Sequence, residues 1–109
     1  MLHELKADPG VFDHSWDGYK PFEIRLNDRN FQSGDDLLLR ETKHTAAEMA
    51  DGAPLIYTGR SLLVSVVMIP VVGPDHGVPD GWIAMTVVHK ERFNEASRPF
   101  ERDGGRLGS

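Results

Sequence analysis

The sequence predicts a mainly β domain of the α+β class: a small mixed β-barrel of about five strands with one or two short helices. Three observations carry this. Phe22, Ile24 and Leu26 alternate with Glu23, Arg25 and Asn27, the period of two that marks a strand with unlike faces. Leu62 to Ile69 is a run rich in Val, Leu and Ile, which fit a pleated, half-buried surface. Trp82 to Val88 alternates again, with Ile83, Met85 and Val87 on one face and Trp82, Ala84, Thr86 and Val88 on the other. His3–Lys6 and Asp36–Thr42 complete the count. That many strands in 109 residues usually curl into a barrel, because closure removes exposed edges.

In chain order, His3-Glu4-Leu5-Lys6 is a short first strand. Asp8-Pro9 starts a helix, since Asp can cap and Pro is tolerated at the first helical position. Phe12 and Trp16 are four apart and share a face of it. Gly18 is placed to end it in a left-handed cap. The central strand runs from about Pro21 to Asn27, and Pro21 suits a strand start or edge. Ser33-Gly34-Asp35 reads as a turn launching Asp36–Thr42, where Leu37, Leu38 and Leu39 are consecutive and suggest burial on both faces. Thr45-Ala46-Ala47-Glu48 matches a capping box with Gly52 as stop, so 42–56 reads as an insertion holding a turn or two of helix. Tyr57-Thr58-Gly59-Arg60 reads as a turn into the long strand. Gly73–Gly81 holds three Gly and two Pro and is a loop by composition. Residues 1–97 form one domain, and the charged, Gly-rich stretch 98–109 reads as a flexible tail.

Composition narrows the function classes. The net charge is -5 and the pI about 5.4, which argues against a broadly basic nucleic-acid surface but leaves room for a local basic patch. The chain has no cysteine, hence no disulfide framework, thiolate ligand or thiol nucleophile. The opening residues are charged rather than a signal peptide, and Leu62–Val72 is too short an apolar run to span a bilayer as a helix. The expected location is cytoplasmic, with no membrane partner. His3, His14, His44, His76 and His89 show no metal-ligand spacing, so no metal is expected. Neither a Walker loop, a GxGxxG nor a GxSxG elbow occurs, and no cofactor is implied.

The densest chemistry lies in Gly18–Asp35. Glu23 and Arg25 sit two apart on the central strand and project the same way. Lys20 precedes them, and Asp28 and Arg29 follow. Such a cluster suits a polar, anionic or base-like ligand: Arg25 binds phosphate or stacks on a base, and a desolvated Lys20 acts as base or nucleophile. The other reading is a cross-strand ion-pair ladder that only fixes register, worth roughly 0.2–1 kcal/mol per pair. Tyr57, Arg60 and Trp82 are aromatic or basic groups able to stack a base, or packing and turn residues. Asp75-His76 is either an acid–base pair or solvated loop polarity.

Gly18-Tyr19-Lys20-Pro21-Phe22-Glu23-Ile24-Arg25 resembles the GxKxxExR motif of the ASCH superfamily, a branch of the PUA-like domains. The longer pattern is similar to one small bacterial and phage family of unknown function, the DUF3850 type. It comprises His3-Glu4-Leu5-Lys6, then GxKxFEIRxNDRxFxxGD over Gly18–Asp35, then Leu37–Glu41, then Tyr57-Thr58-Gly59-Arg60. These blocks appear in order and cover roughly residues 3 to 88.

The resemblance implies a PUA-like barrel with a helix beside it and a cleft under the GxKxxExR strand. It implies RNA, nucleotide or nucleoside binding, with Lys20, Glu23, Arg25, Asp28, Arg29, Tyr57 and Arg60 as candidate ligand-binding residues. Small ASCH hydrolases that remove an acetyl group from modified cytidine use a Lys, a Thr and a Glu. Lys20 matches the first, the Thr position falls on Glu23, and the motif does not place the last. The alternative function is therefore a small amidohydrolase or ribonuclease with Lys20 and Glu23 as catalytic residues. A third reading is a phage or prophage protein that binds a protein partner through 42–56.

Overall fold

A computed structural model describes residues 1–18 and 22–95, and the backbone of 103–105 and 107–108. Strands β1 (Leu2–Ala7), β2 (Phe22–Leu26), β3 (Asp36–Thr42), β4 (Tyr57–Met68) and β5 (Trp82–Asn94) form one mixed sheet in the order β1-β3-β4-β5-β2. Helix α1 (Pro9–Trp16) follows β1, and α2 (Ala46–Ala50) lies between β3 and β4. The sheet curls into a half-barrel. β1 and β3 are parallel, so the chain between them must cross over, and it carries α1 and β2 on the way. The other three pairings are antiparallel. Backbone at Asp103–Gly105 (β6) and Leu107–Gly108 (β7) forms a separate two-stranded pair. The rest of the expected tail, 98–109, lies outside the described residues.

Alternation decides what fills the concave face. β1 turns His3, Leu5 and Ala7 inward, β3 Leu37 and Leu39, β4 Leu62, Val64 and Val66, and β5 Met85 and Val87, all of them buried. Phe12 of α1 and Phe31 from the β2–β3 connection complete this core. The curl is open between β1 and β2, the two strands at the ends of the order.

Several local features follow the sequence reading. Gly18 adopts φ +83 after α1, and Gly34 adopts φ +92 in the turn before β3, a conformation that a Cβ penalises. Thr45 and Glu48 close the capping box of α2 reciprocally. Others depart from it. Asp8 precedes α1 without capping it; its Oδ1 instead accepts from the Ala46 N–H at 3.0 Å, tying the start of α1 to the start of α2. Tyr57–Arg60 is strand rather than turn: Gly59 takes φ +97 and β3 shifts register between Arg40 and Thr42, so the ladder kinks but continues. β5 runs past Val88 to Asn94 because β4 offers it a partner along that length. Leu38, expected to be buried on both sides of its strand, is half-buried on the outer face.

β2 holds the main surprise. Its apolar residues Phe22, Ile24 and Leu26 face outward and remain exposed, while Glu23 points inward and is 1 % exposed. The register explains the placement: Glu23 stands opposite Met85, an inward residue of β5, and Ile24 opposite the outward Ala84.

Candidate functional site: an open seam between two strand edges

Two free edges face each other where the curl stops. The carbonyls of Glu4 and Lys6 on β1 point off the free edge of the sheet, where a bare row of acceptors invites pairing with another strand. Arginine side chains supply the missing donors. Arg25 Nη1 donates to the Lys6 carbonyl at 2.9 Å, and Arg29 Nη1 to the Glu4 carbonyl at 2.6 Å. Arg25 is held from below, its Nε donating to Glu23 Oε1 at 3.1 Å. Arg29 is steadied more loosely by Asp28, 3.7 Å from its Nε. The Nη2 groups of Arg25 and Arg29 have no partner among the described residues.

A cavity of about 600 Å³ opens along this seam. One wall is β2 with Trp82 of β5 at its rim; the other is the end of β1, Asp8 and Val11 at α1, and Ala46 and Met49 at α2. Phe31, Asp28 and Arg29 close it from the β2–β3 connection, and Lys6 adds a third cation. The lining is therefore apolar with three basic groups and two carboxylates. It lies within the size range of ligand sites, which are mainly apolar with a few placed polar groups. The two guanidinium groups meet carbonyls two residues apart on one strand, about 7 Å of strand rise along the seam.

The candidates from the sequence therefore separate. Arg25, Asp28 and Arg29 come together at the seam, and Glu23 lies beneath as the carboxylate that orients Arg25. Lys20 lies outside the described residues. Tyr57 and Arg60 sit elsewhere, around a smaller hollow of about 220 Å³ on the other side of β1. There Arg40 stacks 3.6 Å from the centre of the Tyr57 ring. Arg60 is held by two carboxylates: Nε and Nη2 donate to the two Glu41 oxygens at 2.9 and 2.8 Å, and Nη2 also reaches Asp13 Oδ1 at 2.5 Å. Its guanidinium also lies 5.2 and 5.1 Å from the Phe12 and Trp16 rings. The Arg60 guanidinium, with the Thr58 hydroxyl, holds the Glu41 carboxyl below its usual range.

Sequence reasoning missed the far wall of the cavity, Lys6, Val11, Ala46 and Met49, because no local pattern says that β1 and α2 approach β2. It also gave no role to His89. That residue follows Met85 and Val87 on the inner face of β5, and a Cβ built at Gly18 would lie 4.0 Å from its Cε1. Burial, with some repulsion from Arg92, pushes the His89 imidazole below its usual value, which favours the neutral ring. Among the described residues no group of three or more His, Cys, Asp or Glu is placed to hold a metal. Nor is any described helix long and apolar enough to cross a membrane.

A family model described as a domain of unknown function, DUF3850, matches residues 2–87, and the chain belongs to that family. Comparison with curated proteins gives no significant match.

Proposed function

We propose that this chain is an RNA- or nucleotide-binding domain that takes its ligand in the β1–β2 seam, and that its family is a PUA-like branch of the ASCH superfamily. One observation carries the reading: Arg25 and Arg29 bond carbonyls two residues apart on β1, about 7 Å of strand, beside a cavity with an aromatic rim. That spacing suits successive phosphates of one strand, and each guanidinium keeps N–H groups to offer. The Trp82 ring, half-exposed at the rim, supplies a face on which a base can stack. The apolar walls exclude water from the base, and Asp28 and Asp8 can accept from exocyclic amines. The acidic chain limits phosphate contacts to these few. With two neutralised phosphates on a single strand, log K falls against log salt with a slope of about -1.4.

Fluorescence anisotropy with labelled single-stranded RNA, and calorimetry with nucleotides, test this. Arg29→Ala is the cleanest variant, because that side chain is 43 % exposed and its bond to the Glu4 carbonyl lies at the surface. It is expected to weaken binding roughly tenfold or more, as loss of a charged hydrogen bond does, while the melting temperature changes little. Trp82→Ala is expected to lose about 1–3 kcal/mol of stacking. Absence of binding by the wild type, or unchanged affinity in both variants, would refute the proposal.

A further inference from the structure

We infer that the convex face of the sheet is a self-association surface and that two copies of this chain pack through it. The surface spans three neighbouring strands. The register sets Met68 of β4, Thr86 of β5 and Phe22 of β2 in one row, with Ala84 beside Ile24 and Trp82 beside Leu26. These are the outward positions, since Met85 and Val87 between them are buried. Phe22, Trp82, Leu26, Met68 and Val88 are 45 to 52 % exposed, and Ile24 is 38 % exposed. Among the described residues no outward position of this patch carries a charge, in a chain of which 27 % is charged.

The area argues for a second copy. The two aromatic rings have a little under half of their roughly 150–250 Å² still open, and the four aliphatic side chains add comparable amounts. With Ala84, Thr86 and Val67 the patch offers about 600 Å² per chain, at the upper end for a monomer's largest apolar patch. A two-fold assembly would bury about 1,200 Å² in total, the lower limit for a specific interface. A two-fold axis in the interface plane, crossing β5 at Met85, lays the bulky Trp82 end of one sheet over the slimmer Val88 end of the other. The small Ala84 and Thr86 side chains at the centre let the two sheets approach. The interface and the cavity share Ile24, Leu26 and Trp82, so self-association and ligand occupancy are linked.

Sedimentation equilibrium of the full chain over a micromolar concentration series tests the inference. The expected mass approaches twice 12.2 kDa. Each copy carries -5, so added salt screens repulsion and tightens the pair, the opposite sign to RNA binding. Val88→Lys and Met68→Lys place a charge on the patch away from the cavity. Each is expected to weaken association at least about tenfold while circular dichroism and the melting temperature stay close to wild type. A wild type that sediments at 12.2 kDa throughout, or a folded Val88→Lys that associates as well as wild type, would overturn it.

Discussion

Arg60 lies in the motif run Tyr57–Arg60, but its geometry makes it a structural clamp, and Arg60→Ala measures that. The side chain joins three elements: its own strand β4, Glu41 at the end of β3, and Asp13 on α1. Glu41 is 5 % exposed, so removing Arg60 strands a carboxylate in the interior. Breaking such a pair from one side costs about 3–5 kcal/mol. Two features reduce the figure. The Thr58 hydroxyl still donates to Glu41 at 2.7 Å, and the Arg60 side chain is itself 26 % exposed, so water can follow it in. Asp13 is 60 % exposed and adds only about 0–1 kcal/mol. The expected loss is about 2–3 kcal/mol, which lowers the melting temperature of a domain this size by roughly 10–20 °C. Urea unfolding monitored by Trp fluorescence reads it directly. The pH dependence gives a second check. Glu41 is depressed below its ordinary value of 4.5, so its contribution is complete above that value and fades as pH falls through the folded one. Wild type and Arg60→Ala therefore converge in acid. A loss under about 1 kcal/mol, or one that persists unchanged in acid, would refute the clamp. So would lost RNA binding in an otherwise stable variant, which would move Arg60 into the ligand site.

Two further outcomes follow from named contacts. Asp35 accepts from His3 Nε2 at 2.8 Å and from the Gln32 N–H at 3.0 Å, and the His3 bond chiefly holds its carboxyl at about 2 instead of 3.8. Its folded value is depressed, so its stabilisation is complete above 3.8 and is lost as pH falls toward about 2. Asp35→Asn is expected to flatten that acid arm of the urea midpoint against pH; an unchanged arm would show that other carboxylates produce it. Thr45→Ala removes the acceptor for the Glu48 N–H at 3.1 Å, at a cost of about 1 kcal/mol. Because no residue of α2 is buried, the loss is expected in hydrogen exchange at the Glu48 amide rather than in global melting. A global shift with the exchange rate unmoved would contradict it.

The fold was legible where the pattern had only one physical solution. The Val- and Leu-rich stretch of β4, the alternation Trp82–Val88 and the Gly34 turn each admit one reading. β2 shows the limit. Alternation at Phe22–Leu26 announces two unlike faces but not which is inside, and apolar residues are placed inside by default. Here the inner position opposite Met85 is filled by Glu23, whose charge Arg25 meets, and the apolar row is left outward. Tyr57–Arg60 carries turn chemistry in Thr58 and Gly59, yet pairing of Tyr57 with Thr42 overrides it. The polar end of β5, Lys90–Asn94, has no apolar period and is strand only because β4 lies beside it. The motif residues of the seam were legible as a cluster. Their acceptors were not, since a backbone carbonyl on a free edge has no sequence signature.

The open seam follows from which groups satisfy the two edges. A closed barrel would need β2 within about 4.8 Å of β1, the spacing of a ladder, and would leave no room for a ligand. Leaving both edges bare would expose the carbonyls of Glu4 and Lys6 to pairing with other chains. Arg25 and Arg29 avoid both outcomes. A guanidinium on its flexible stem reaches further than a backbone N–H, satisfies a carbonyl, and still presents its remaining donors outward. The gap it spans is the cavity, so the residues that stabilise the free edge are also those that a phosphate would meet. An anion bound there competes with the carbonyls for the same guanidinium groups. Ligand affinity and the protection of the β1 edge are therefore drawn from one set of hydrogen bonds, and because the Arg29–Glu4 bond is exposed, losing Arg29 should weaken binding and speed local exchange at the β1 edge while global melting changes little.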